Sequence, residues 1–264
     1  MTLLRPPTPP PLPASSLVLL AHRGATEHHP ENSLPALAAA LAPAERADGL
    51  ECDVRLAQDD QPYVFHDDDT ERLTGVAGPF AAHPPLALAA LRLADQSPIP
   101  TLAKAAHLVT AALPARDVLW NVELKPSPTP DALVAAVRPY LDPLVALPGL
   151  TLVVSTFDPR VLAAARRVRA PWRLAYLYET PAALTALAWL DAPDAIDLHP
   201  RWDLVDARHI AEYTRPGRAF RVWTVDDPRE ALRLHALGVS TLITNRTRAL
   251  RDACTPHLPA RPAP

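Results

Sequence analysis

A chain of 264 residues, 48% hydrophobic and 21% charged, has ordinary globular composition and enough apolar material for one sizeable core. Its formal net charge of −3 and pI near 6.4 exclude a basic field able to hold a nucleic-acid backbone. No apolar run approaches ~18 residues, so no membrane span is expected. The first sixteen residues are rich in proline, and the apolar run behind them, residues 17–21, is too short for a secretory signal. Cys52 and Cys254 are too few for a disulfide scaffold and suit a reducing compartment. The expectation is a cytoplasmic protein with a single domain over 1–264 and a core over about 17–250. Residues 1–15 and 255–264 are expected to be disordered tails.

In chain order, residues 17–21 read as a strand, 33–42 as a helix and 50–54 as a strand. A helix at 101–113, a strand at 119–124, a helix at 131–141 and a strand at 151–155 follow. The second half reads helix 159–168, strand 173–178, helix 181–190, strand 195–198, helix 205–215, strand 220–225, helix 228–237 and strand 240–244. Several helices open with Ser, Thr, Asp or Pro, as helix starts should. Such alternation argues for parallel βα units, and eight strands fit a closed (β/α)8 TIM barrel of the α/β class. One segment departs from it. Residues 50–67 read strand, turn, strand, with the turn at Asp59-Asp60-Gln61-Pro62 and no room for a helix. The second arm is a β-hairpin excursion that brings Asp53 opposite the region of His66. Residues 68–98, without clear periodicity, are expected as a small irregular cap over the barrel mouth.

The chemistry concentrates at strand ends. Glu51 and Asp53, two apart in a strand, share one face, and so do Glu123 and Lys125 in the next barrel strand. Carboxylates facing one point repel unless a cation holds them, and all-oxygen ligands favour Mg2+ or Ca2+, with Mn2+ also admissible. A salt-bridge network around Lys125 is the bland alternative. His22 and His66 end the first strand and the hairpin arm, which suits paired general acid and base work. The remaining histidines are expected to be structural, with His199 a weaker pocket candidate. Arg23 and Lys125 suit a phosphate; Arg23 can also pair with Glu31 or another nearby acid, and the two readings are compatible. Trp223 reads more readily as core than as a substrate wall. No phosphate loop, serine elbow or Cys-x-x-Cys is present.

The phrase LLAHRGATEHHPENSLPAL, with His22-Arg23-Gly24 and Pro30-Glu31-Asn32, resembles the opening of glycerophosphodiester phosphodiesterases. Glu51-x-Asp53, His66-Asp67, Asn121-x-Glu123-x-Lys125, Ser155-Thr156-Phe157, Val222-Trp223-Thr224-Val225, Gly238-Val239 and Ile243-Thr244 follow in that family's order, over residues 17–247. The set is most similar to the cytosolic bacterial members. The resemblance implies hydrolysis of a small-molecule glycerophosphodiester to sn-glycerol 3-phosphate and an alcohol. It implies His22 and His66 as the catalytic pair, and Glu51, Asp53 and Glu123 as ligands of a divalent metal. Arg23 and Lys125 would contact the phosphate, and Trp223 would line the substrate. Ser33, Asp226 and Asn245 depart from the family's usual threonine, asparagine and aspartate. The alternatives are a phosphodiesterase acting on lysophospholipids or inositol phosphodiesters, a metal-dependent barrel lyase or aldolase, and a non-catalytic binding barrel. Nothing in the sequence sets the oligomeric state.

Overall fold

The computed structural model describes residues 17–186 and 196–258. The first half contains β1 (Val18–Ala21), α1 (Leu34–Leu41), β2 (Gly49–Leu56), β3 (Pro62–Val64), α2 (Glu71–Thr74), α3 (Pro85–Ala90), α4 (Leu102–Ala112) and β4 (Val118–Leu124). The second continues with α5 (Pro130–Leu141), β5 (Leu150–Thr156), α6 (Pro159–Arg167), β6 (Arg173–Tyr178) and β7 (Asp197–Pro200). It ends with α7 (Ala207–Tyr213), β8 (Arg221–Val222), α8 (Pro228–Ala236), β9 (Thr241–Thr244) and α9 (Thr247–Cys254). Helix starts follow local chemistry. Ser33 accepts the Ala36 N–H at 3.1 Å to open α1, and Asp158, Asp206 and Asp227 cap α6, α7 and α8 in the same way.

Eight strands pair in parallel in the order β7-β6-β5-β4-β2-β1-β9-β8, and β3 pairs antiparallel with β2. Parallel bridges Leu198–Phe220 and Arg201–Trp223, with the Trp223 N–H donating to the Pro200 carbonyl at 3.2 Å, return β8 to β7. The ring is the expected (β/α)8 barrel. Side-chain alternation sorts each strand. Leu50, Cys52 and Val54 of β2, with Trp120, Val122 and Leu124 of β4, pack outward into the main core with the helices. Val18, Leu20, Leu119, Val153, Ala175 and Ile243 come from five strands around the ring and meet across its axis. Gly49 is required by close approach: a Cβ there would lie 1.8 Å from the Leu119 carbonyl oxygen of β4.

Near β7 the ring is tied by buried charge. Asp197 is fully buried and accepts from Arg173 of β6 (Nη2 at 2.6 Å), from Arg221 of β8 and from the Ala219 N–H at 2.8 Å. This ion group spans the strands on either side of β7, where the backbone ladder to β8 is thinnest.

Three expectations change and one is refined. Residues 68–98, largely irregular as expected, hold the short helices α2 and α3 and a 3-10 turn at Phe80–Ala82. They share a small core with the hairpin, in which Phe65 stacks on Phe80 at 4.8 Å. These helices are too short to show periodicity. The helix expected over 181–190 is 3-10 at Pro181–Ala186, and its remainder lies outside the described residues, as does residue 195 of the strand expected at 195–198. Helix α9 was not anticipated. A 3-10 turn at Thr255–His257 extends it, and Leu258 packs on the core of β1, β9 and α8, so order continues past residue 254. Residues 1–15 and 259–264 lie outside the described residues. Among the described residues, no helix is long and apolar enough to cross a membrane.

Candidate active site

The C-terminal strand ends surround a cavity of about 250 Å3, lined by His22, Arg23, Glu51, His66, Glu123, Lys125 and Trp223 among others. Asp53 is the one sequence-predicted site residue behind this lining, and it is 1% exposed. Parallel pairing explains the convergence. Glu51 aligns with Asn121 and Asp53 with Glu123, so the inward faces of β2 and β4 bring the three acids together. One oxygen from each of Glu51, Asp53 and Glu123 lies within 4.8 Å of the others.

The hairpin register, Val54 opposite Val64 and the Phe65 N–H on the Asp53 carbonyl at 3.0 Å, places His66 just past Asp53, as expected. The turn after β1 holds the other half. Arg23 has φ of 58°, a left-handed conformation uncommon outside glycine, and its N–H donates to Glu51 Oε2 at 3.0 Å. Gly24 follows at φ of 90°, where a Cβ would lie 2.6 Å from the Ala36 backbone of α1. Arg23 also donates to Glu31 at 2.7 Å and lies 3.3 Å from Asp53 Oδ2. The pairing of Arg23 with Glu31 and its place in the cavity therefore coexist. Lys125 Nζ donates to Glu123 at 2.5 Å and lies 3.3 Å from Asp53.

Charge bookkeeping at this site is unbalanced, with three carboxylates against two cations. Burial first, then the charges of Asp53 and Glu123, push the Glu51 pKa well above the carboxylate range. Glu123 is raised by burial and by Asp53, against the pull of Lys125. Burial would also raise Asp53, but Lys125, Arg23 and His66 outweigh it and hold that group at about 2. Glu51 Oε1 is buried without a hydrogen-bond partner. An orphaned carboxylate oxygen in an all-oxygen cluster fits a hard divalent cation.

Each histidine is held through Nδ1, by a different group. His22 Nδ1 lies 2.8 Å from Asn245 Oδ1. The Asn245 amide donates to Asp226 Oδ2 at 2.8 Å, and Asp226 Oδ1 accepts the Asn245 N–H at 2.8 Å and the Thr244 hydroxyl at 2.9 Å. With its nitrogen committed to Asp226, the amide turns its oxygen to His22, which fixes Nδ1 as the protonated nitrogen. Burial and the Arg23 charge lower His22 to about 4. His66 Nδ1 pairs with the Asp67 carboxylate at 2.7 Å. Burial, with Lys125 and Arg23, lowers His66, against the opposing charge of Asp53 and the bond to Asp67.

Two aromatic residues complete the lining. Phe157 and Trp223 meet edge-to-face at 5.3 Å, Lys125 lies 5.9 Å from the Phe157 ring, and Trp223 Nε1 donates to the His199 carbonyl at 2.7 Å. The expectation that Trp223 is core is thus corrected: it packs on the barrel interior and also lines the cavity. His199 is fully buried and is not among the lining residues. Sequence reasoning missed the supporting groups. Asn32 donates to Asp53 Oδ2 at 2.8 Å and accepts the Asp53 N–H at 3.2 Å. Asp226, Asn245, Asp67 and Arg72 were not assigned roles either. For Asn32 the Pro30-Glu31-Asn32 block was a signal; for Arg72 there was none.

A parallel barrel whose strand ends carry converging carboxylates, two histidines and two fixed cations has the make-up of an enzyme that handles phosphate esters. The model of the glycerophosphoryl diester phosphodiesterase family matches residues 22–249, and the chain belongs to that family. A glycerophosphodiester phosphodiesterase from Caldanaerobacter subterraneus subsp. tengcongensis is 25% identical over 247 residues, covering 88% of this chain and 96% of that protein. Among solved structures, an Oleispira antarctica phosphodiesterase in complex with the product sn-glycerol-3-phosphate superposes with a TM-score of 0.79. It has 25% identity and coverage of 90% and 96% of the two chains. The glycerophosphodiester phosphodiesterase of Thermotoga maritima shares the fold, with a TM-score of 0.70, 23% identity and coverage of 89% and 97%.

Proposed function

We propose that the protein hydrolyses glycerophosphodiesters to sn-glycerol 3-phosphate and an alcohol. Glu51, Asp53 and Glu123 would hold a divalent cation, Mg2+ or Ca2+ by the hardness of the donors, with Mn2+ as an alternative. A bound divalent ion supplies positive charge against the charge that develops on the phosphoryl oxygens. Arg23 and Lys125 add fixed positive charge at the same place. His22 and His66, each held through Nδ1, present Nε2 for proton transfer. One takes the proton of the attacking hydroxyl and the other supplies one to the leaving alcohol. The attacking oxygen belongs either to water or to the substrate's own glycerol, the second route passing through a cyclic phosphate. Phe157 and Trp223 would seat the carbon skeleton of the substrate. Cys52 and Cys254, both buried and unpaired, agree with a reducing compartment, and the proposal places the enzyme in the cytoplasm.

The observation that carries the proposal is the cluster of three carboxylate oxygens within 4.8 Å, one on a residue with an orphaned buried oxygen. The test is release of sn-glycerol 3-phosphate from glycerophosphocholine and glycerophosphoethanolamine. It is run in EDTA, then with Mg2+, Mn2+ or Ca2+ restored, on wild type and Glu51→Ala. Metal-restored release that vanishes in the variant is expected. Release confined to a lysophospholipid or an inositol phosphodiester would move the substrate class. No release from any of these, by folded protein with any metal, would sink the proposal.

A further inference from the structure

Arg72 lies on α2, in the segment between the hairpin and α4, and its side chain is half exposed. Its guanidinium makes two forked contacts. It donates to both oxygens of Glu31, at 2.7 and 3.1 Å, and to both oxygens of Asp67, at 2.5 and 2.9 Å. Each carboxylate reaches a second partner in the cavity. Glu31 Oε1 accepts from Arg23 Nη1 at 2.7 Å, and Asp67 Oδ1 pairs with His66 Nδ1 at 2.7 Å. A planar, five-donor cation is the side chain able to fix two carboxylates at once. Glu31, His66 and Asp67 also lie close enough to hold an ion. All four of their carboxylate oxygens accept from Arg72, so the guanidinium already fills the cationic role there.

We infer that Arg72 is a positioning residue for the reaction: one guanidinium, delivered by the inserted segment, sets His66 through Asp67 and Arg23 through Glu31. The segment over 68–98 is then a brace for the active site rather than only a cover. The inference rests on the phosphodiesterase proposal for the roles of His66 and Arg23. Arg72 is half exposed, so solvent screening limits what its ion pairs add to stability, and its loss is expected to move activity far more than melting. Misplacement of a reacting group by about 1 Å costs on the order of 100-fold in rate. Arg72→Met is therefore expected to lower kcat about 10- to 100-fold on glycerophosphocholine with the metal restored, at nearly unchanged melting temperature. Arg72→Lys, which keeps the charge and loses the fork, should recover only a small part. Millimolar guanidinium should restore part of the activity of Arg72→Ala.

The experiment measures kcat, KM and melting temperature for wild type and the three variants, and records the ring nitrogen-15 signals of His66, which need no turnover. In a His66→Ala background, Arg72→Met should cost less than in wild type, because part of its route is already gone. Two results would overturn the inference. One is kcat within twofold of wild type with unchanged His66 signals. The other is loss of activity and melting temperature together, without rescue by guanidinium, which would make Arg72 structural. Shifted or broadened His66 signals in a protein whose wild type turns over no glycerophosphodiester would leave the brace standing and remove the phosphodiesterase proposal.

Discussion

Replacing Glu51 by glutamine should stabilise the metal-free protein while abolishing its response to metal. Glu51 is 3% exposed, its Oε1 has no partner, and burial with two neighbouring carboxylates pushes its pKa well up. In EDTA the native state therefore disfavours the charged form of Glu51, which costs stability at any pH where the unfolded chain ionises it. Glutamine keeps the shape and removes the charge, relieving a penalty of about 1–3 kcal/mol. At ~2–4 °C per kcal/mol for a domain of this size, melting should rise by about 2–12 °C. The sign with pH agrees. A carboxylate raised in the native state above its ordinary 4.5 favours folding at low pH, and that contribution is lost as pH climbs through the raised value. The gain of the variant should therefore be present at pH 7 and absent below pH 4.5. Metal reverses the order. An ion at 100 times its Kd adds about 2.7 kcal/mol to wild type, or roughly 5–11 °C. The variant, with two carboxylates against two cations, should gain little. Scanning calorimetry of both proteins in EDTA, Mg2+, Mn2+ and Ca2+ reads each quantity without turnover. A variant that melts below wild type in EDTA, or that gains as much from metal, would refute the carboxylate cradle.

Three further outcomes are expected. His22→Ala and His66→Ala should each lower kcat on the order of 10²–10⁴ without loss of fold, by steady-state kinetics and circular dichroism; near-full kcat in either would end the paired acid–base scheme. Asn245→Leu removes the acceptor that fixes the His22 tautomer, and kcat should fall up to about 100-fold at little-changed KM, with a changed His22 ring signature in nitrogen-15 spectra. Asp197→Ala leaves Arg173 and Arg221 without their shared carboxylate and should cost about 3–5 kcal/mol in urea unfolding. Because the native state holds Asp197 below its ordinary 3.8, its contribution is present above that pH and lost as pH falls through the lowered native value; an acid limb identical in wild type and variant would contradict this.

The barrel, and the placement of Glu51, Asp53, Glu123 and His66 at strand ends, were legible because their signals are local; Trp223, read as core, was not. Alternation along β2 puts Glu51 and Asp53 on one face whatever surrounds them, and the short turn after Leu56 forces the hairpin that returns at His66. Helix starts at Ser33, Asp158 and Asp227 follow from their own side chains bonding the next backbone N–H groups. The misses were elements with little local signal. Helix α2 has four residues, the run over 181–186 settles as 3-10, and β8 keeps two ladder residues between isolated bridges at Phe220 and Trp223.

Sequence alone determined the order of βα units, the inward placement of the acids and the two histidines at strand ends, since each depends on spacing of one to four residues. Tertiary structure decided what makes those residues a site. His22 meets Asn245 across 223 residues only because β1 pairs with β9 when the ring closes. Arg72 meets Glu31 across 41 residues only because the inserted segment folds back on the first turn. Such contacts are set by ring closure and docking, and no window of sequence contains both partners.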